Sequence, residues 1–132
     1  MKILDTVVLA SALDRKDPRH ARGRNHLFSV ITDEDIFVPS VCIIELDLVA
    51  KANGVNELHR VKINDKLAAL IARDKILPVT PSMVARACRL ATKATWRSKY
   101  FDMLIAAAAL EHGAEIITTD RKFENLGIAI SW

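Results

Sequence analysis

Short apolar runs alternate along the chain with longer stretches in which apolar residues recur at helical spacing. Residues 2–5 read as a short buried strand, and Thr6–Leu13 as a helix or turn leading out of it. Pro18 suits the first turn of a helix running to about Ile31. An acidic turn, Asp33-Glu34-Asp35, precedes a second strand at Ile36–Val38, and Pro39 and Ser40 open a helix that ends near Gly54. Residues 56–74 space Leu58, Val61, Leu67, Leu70 and Ile71 as a helix does. A third strand is expected at Ile76–Val79, then a helix from Pro81 to about Thr95. An Ala-rich helix over 99–112 is closed by His112 and Gly113. Glu115–Thr118 reads as a fourth strand, a short helix follows Asp120, and Ile128–Ile130 reads as a fifth.

Apolar strands separated by helices predict an α/β fold: a mostly parallel sheet of four or five strands with helices on both faces. Ligands of such sheets gather at the carboxyl ends of the strands. Asp5 and Asp120 each fall at or just past such an end.

The length, 132 residues, suits a single domain spanning 1–132. No apolar run approaches a transmembrane span, and the first residues lack a secretory signal, so a cytoplasmic protein without a membrane partner is expected. Cys42 and Cys88 sit in apolar, helix-like segments with no metal-binding spacing and read as buried thiols. A formal net charge of +3 is compatible with a nucleic-acid partner without demanding one.

Charge placement is more informative. Asp5 lies among Ile3, Leu4, Val7 and Val8, with no Lys or Arg between it and Arg15. Such an acid needs a partner, because burying an isolated carboxylate costs several kcal/mol. In residues 39–51 (PSVCIIELDLVAK), Asp47 has Lys51 four residues on, a favourable helical pair, while Glu45 has only Val41 and Val49 at those offsets. Asp102 precedes a run of eight apolar residues and Asp120 precedes Arg121; either could also serve as a helix cap. Taken together, four acids bordering buried segments would repel one another if gathered. A hard divalent cation, Mg²⁺ or Mn²⁺, removes that conflict and leaves room for phosphate oxygens. No His–Cys spacing points to zinc.

The segments ILDT, VPSVCIIEL, YFDMLIAAAAL and IITTDRKF, in this order, resemble the PIN domain, and most closely its VapC-like toxin branch. The resemblance implies a three-layer α/β/α sandwich and metal-dependent hydrolysis of RNA. It assigns Asp5, Glu45, Asp102 and Asp120 as catalytic and metal-binding acids, with Thr6 and Thr118 in supporting hydroxyl positions. It also implies a homodimer held inactive by a small antitoxin protein. Many relatives carry a further acid two residues after the last Asp. This chain has Lys122 there, so the resemblance supplies no ligand at that place for a second ion.

Arg97, Lys99 and Tyr100, with Trp96, combine cations and rings next to Asp102, as single-stranded RNA binding requires. Hydrophobic anchoring of Trp96 is an equal alternative. The basic run at 15–24 reads better as a solvated face. An Asp-x-Asp phosphatase is excluded by Val7, and a phosphoacceptor receiver leaves Glu45 and Asp102 without a role. A stand-alone RNA-processing nuclease and a catalytically silent binding module stay open as alternatives to a toxin.

Overall fold

The computed structural model describes residues 1–94 and 99–132. Among them, five strands form one sheet: β1 (Lys2–Leu4), β2 (Ile36–Pro39), β3 (Ile76–Leu77), β4 (Glu115–Ile117) and β5 (Ile130–Ser131). Six α-helices accompany it: α1 (Thr6–Leu13), α2 (His20–Thr32), α3 (Ser40–Ala52), α4 (Glu57–Leu70), α5 (Pro81–Lys93) and α6 (Tyr100–His112). Short 3₁₀ turns span Arg73–Lys75 and Arg121–Leu126. Every strand pairing is parallel, and the order is β3-β2-β1-β4-β5. This is the expected three-layer α/β/α sandwich. No helix among the described residues is long and apolar enough to cross a membrane.

Topology places the site. The chain builds outward from β1 through β2 to β3, then returns to lay β4 on the other side of β1. Connections therefore leave β1 and β4 in opposite directions, and their carboxyl ends flank a crevice. The register pairs Leu4 with Ile117, so the next residues, Asp5 and Thr118, emerge side by side. The Asp5 amide donates to the Ile117 carbonyl at 3.1 Å, which fixes that alignment.

The helices explain their own composition. Met103 through Ala109 of α6 are all buried, so this helix is apolar on every side because every side is covered. It packs on α5 and α3. Helix α1 packs on α2 at close range: a Cβ on Gly23 would lie 2.2 Å from Ser11 Oγ and 2.9 Å from the Ala12 amide nitrogen. Thr80 caps α5 by accepting from the Met83 amide, and Asn56 caps α4 by accepting from the His59 amide. Gly113, with φ +59°, ends α6 in the left-handed region that favours glycine.

Several expectations shift, among them the end of the helix expected over 56–74, which stops at Leu70. Helix α2 starts at His20, because Asp17 and Pro18 form a turn in which the Asp17 carboxylate accepts from the Arg19 amide. Strand β3 stops at Leu77. Its partner β2 ends at Pro39, where α3 begins, and the Val79 amide donates to Ser40 Oγ instead. Strand β5 starts at Ile130, because the Ile128 amide closes the preceding turn onto the Phe123 carbonyl. Cys42 is buried as expected, but Cys88 is exposed.

Candidate functional site

Asp5 caps α1 immediately after β1, and only 7% of it is exposed. Its Oδ1 accepts from the Thr6 amide at 2.6 Å and its Oδ2 from Thr118 Oγ1 at 2.6 Å. This buried acid thus faces two neutral donors, and among the described residues no cation pairs with it. Burial is the main influence on its pKa, which is pushed up to about 6; the hydrogen bonds from Thr118 and Thr6 oppose the rise, and the charges of Glu45 and Asp102 add to it.

Glu45 lies in the second turn of α3, which follows β2 directly. Its Oε2 accepts the hydroxyl of Thr6. Burial raises its pKa, with the Thr6 hydrogen bond lowering it and Asp102 raising it again; Lys99 and Lys122 contribute opposing positive charge. Thr6 therefore links the two acids: its amide serves Asp5 and its hydroxyl serves Glu45.

Asp102, in the first turn of α6, is buried, with 8% exposure. It accepts weakly from the Lys99 amide at 3.4 Å, in the manner of a capping box. Asp120 caps the 3₁₀ turn through its Oδ1, which accepts from the Lys122 amide at 3.1 Å. The capping readings of both acids are correct as far as they go. Beyond them, Lys122 Nζ stands 2.9 Å from Asp102 Oδ2 and 2.7 Å from Asp120 Oδ2. Burial pulls the Lys122 pKa down, but the hydrogen bonds to Asp120 and Asp102 outweigh it and hold the ammonium above its ordinary value.

The structure thus brings Asp5, Glu45 and Asp102 within one another's field, and ties Asp120 to Asp102 through Lys122. Thr118 completes the connection, donating to Asp5 and accepting from the Asp120 amide at 3.0 Å. Buried polar or charged side chains among the described residues are Asp5, Ser11, Asp102 and Thr118, and all but Ser11 belong to this cluster. The donors are carboxylate oxygens, which fit a hard divalent ion. Burial and mutual repulsion both disfavour the charged forms of Asp5 and Glu45, a cost that a bound cation would relieve. Still, among the described residues no three acidic, histidine or cysteine side chains close on one point as a ready metal cage.

Lys122 is the residue that pattern reading undervalued. It stood out only as a missing acid, whereas its ammonium is part of the cluster. The partner of Asp47 also differs from expectation. Arg60 of α4 pairs with it, Nε donating to Oδ1 at 3.0 Å, and Asn64 adds a bond at 3.2 Å. Asp47 is structural, as the local pattern implied, but its partner comes from the next helix.

Of the RNA-contact residues, Lys99 and Tyr100 are exposed at the start of α6, and Tyr100 meets Phe101 edge to face at 5.9 Å. Trp96 and Arg97 lie outside the described residues. The basic segment is engaged in structure: Arg19 is clasped by Asp17 and reaches Thr119 Oγ1 at 3.3 Å, and Arg22 donates to the Trp132 carbonyl.

A parallel sheet with an acidic cluster at its switch point defines the class of the molecule. The family described as PIN domain matches residues 2–129, and the chain belongs to that family. Among solved structures, FitAcB from Neisseria gonorrhoeae is 25% identical with a TM-score of 0.74, over 98% of this chain and 96% of that one. DNA-bound VapBC from Salmonella typhimurium is 24% identical with a TM-score of 0.70, over 99% and 97%. VapC20 of Mycobacterium tuberculosis, described as a sarcin-ricin loop cleaving toxin, shares the fold with a TM-score of 0.77 at 13% identity, over 98% and 97%. No curated protein matches the chain in sequence.

Proposed function

We propose that this PIN domain is a metal-dependent ribonuclease that hydrolyses RNA phosphodiester bonds, and that it is the toxin of a toxin–antitoxin pair. The observation that carries the reading is Asp5, a buried carboxyl at the β1/β4 crevice that two donors hold in place and that feels the charges of Glu45 and Asp102.

Asp5, Glu45, Asp102 and Asp120 are the residues that would hold Mg²⁺ or Mn²⁺. Bound there, the ion supplies charge neutralisation at the phosphate and acidifies water. The protein's part is orientation and proton handling. Thr118 and the Thr6 amide hold Asp5 in one rotamer, and the Thr6 hydroxyl steers Glu45. Glu45 has a raised pKa and remains partly open to solvent, which suits it to accept a proton from the attacking water. Lys99 can pair with RNA phosphates and Tyr100 can stack on a base, with Arg97 extending the same contact.

The antitoxin reading draws on the company of the fold, since the FitAcB and VapBC neighbours are complexes. An acidic crevice suits a basic side chain from a partner. Exposed Ile44 and Leu48 on α3, and Leu58 and Val61 on α4, supply apolar surface for an antitoxin and for a homodimer. A cytoplasmic location goes with that role. One observation favours a second reading, a silent binding module: Lys122 already pairs with two of the four acids.

The test is cleavage of single-stranded RNA with Mn²⁺ or Mg²⁺, with EDTA as the control. Asp5→Asn should lower the rate at least about a hundredfold while leaving the circular dichroism spectrum unchanged, and Asp47→Asn should keep full activity. Full activity in folded Asp5→Asn refutes the assignment, EDTA-resistant cleavage refutes the metal dependence, and absent cleavage by the unaltered protein favours the silent module.

A further inference from the structure

We propose that Lys122 is a positioning residue whose ammonium serves as a built-in cation of the carboxylate cluster, restricting the crevice to one divalent ion per chain. This rests on the metal-dependent reading above and specifies how many ions the site accepts.

The geometry is specific. Lys122 uses two different oxygen partners on two different elements: Asp102 of α6 at 2.9 Å and Asp120, at the end of the β4 connection, at 2.7 Å. Its own amide donates to the other Asp120 oxygen, so Lys122 and Asp120 form a closed local unit. The lysine side chain is 25% exposed, and Asp102 beneath it 12%, so the pair is sheltered from the solvent screening that weakens surface ion pairs.

Two carboxylates held at hydrogen-bond distance from one nitrogen are close to each other and repel unless a cation stays between them. In a two-ion arrangement that cation is a metal. Here a covalently attached ammonium does the same work with a single charge, three donors and no open coordination position. Asp5 and Glu45 make no contact with it; they are bound to the Thr118 and Thr6 groups. Among the described residues the cluster therefore divides into a half that Lys122 pairs directly and a half, Asp5 and Glu45, whose side-chain oxygens are bound by the neutral groups of Thr6 and Thr118.

The two halves compete for Asp102. Its carboxylate lies in the field of Asp5 and Glu45, yet its Oδ2 is bound to Lys122. An ion entering beside Asp5 and Glu45 would have to share Asp102 with the ammonium or draw it away. Metal binding and the Lys122 pair are then coupled with negative sign, and that coupling is reciprocal. Replacing Lys122 with an uncharged residue should tighten ion binding, and replacing it with an acid should create a second position.

The experiment titrates the full chain with Mn²⁺ alone, by calorimetry and by electron paramagnetic resonance of free Mn²⁺, alongside melting temperatures in EDTA and in saturating Mn²⁺. The unaltered protein should bind one Mn²⁺ per chain. Lys122→Met should bind the ion at least about tenfold more tightly, melt lower than the unaltered protein in EDTA and gain more from Mn²⁺. Lys122→Asp should bind two, and Lys122→Arg, which keeps the charge, should keep the original stoichiometry. A lysine that merely braces the fold would lower the melting temperature equally with and without Mn²⁺ and leave affinity unchanged, which overturns the proposal. Two Mn²⁺ per chain in the unaltered protein overturns it too, even if no variant folds, and leaves the nuclease reading standing. Failure of every variant and of the unaltered protein to bind Mn²⁺ overturns both. Binding that appears only once Lys122 is replaced overturns the one-ion proposal and sets the metal-dependent reading aside as well.

Discussion

At the scale of single residues, Asp5 ties stability to pH. Its carboxyl titrates near 6 in the folded chain against an ordinary 3.8, so the folded state holds the proton more tightly than the unfolded one. A raised carboxyl pKa means that stability falls as pH rises from about 4 to about 6, after which the penalty is fully in place. Its size is on the order of 3 kcal/mol. Asparagine at this position can still accept from the Thr6 amide and can turn its own amide toward Thr118 Oγ1, with no charge to desolvate. In EDTA, Asp5→Asn should therefore melt above the unaltered protein at pH 7.5, and the gap should close or reverse near pH 4. His26 titrates in the opposite sense, because burial and then the charges of Arg22 and Lys2 lower its pKa, but it is common to both proteins and cancels in the difference. A gap that does not vary with pH would mean that Asp5 is not the strained group.

At the scale of elements, the α1–α2 contact leaves no room for a side chain at Gly23. Gly23 lets the helices touch through Ser11 and the α1 backbone. Gly23→Ala gains helix propensity of about 1 kcal/mol but forces the helices apart, and overpacking of this kind costs about 1–3 kcal/mol. The net effect should be destabilisation in urea titrations. Ser11→Ala in the same chain should restore only part of it, because the Ala12 amide nitrogen, 2.9 Å from the new methyl, is backbone and cannot be trimmed. Full rescue would place the whole conflict on the serine hydroxyl. Spacing of the four acids is a matter of elements as well: Asp5 and Asp120 cap the elements that begin after β1 and β4, and α3 and α6 deliver Glu45 and Asp102 from their N-terminal turns. Asp5, Asp102 and Asp120 sit where a helix or 3₁₀ turn begins, and Glu45 one turn further into α3.

At the scale of the whole molecule, the apolar residues that α3 and α4 leave exposed bear on assembly. The expected species is a homodimer that co-purifies with the product of a small reading frame immediately upstream, as a complex without ribonuclease activity. Co-expression followed by size-exclusion chromatography with light scattering, and cleavage assays on the peak, would check this. A monomer that no neighbouring product inhibits would move the protein from toxin to stand-alone RNA processing.

Much of this was legible without coordinates. Apolar strands of three or four residues, the helix opened by Pro81 and the helix closed by Gly113 are local properties, dictated by side-chain burial and backbone conformation. The same is true of the oddness of Asp5 and Glu45, since a carboxylate without a cation at helical offset is visible in one dimension. What needed the third dimension were partners separated in the chain. Asp47 looked paired with Lys51, but a salt bridge is decided by which side chains meet, and α4 delivers Arg60. The ends of β3 and β5 depend on the neighbouring strand: Pro39 removes the partner of one, and the turn closed by Ile128 delays the other. Lys122 is the clearest case. In sequence it is a basic residue two places after an acid; only the packing of α6 beside the β4 connection brings Asp102 to its other side, and so turns a surface lysine into the cation of a buried cluster.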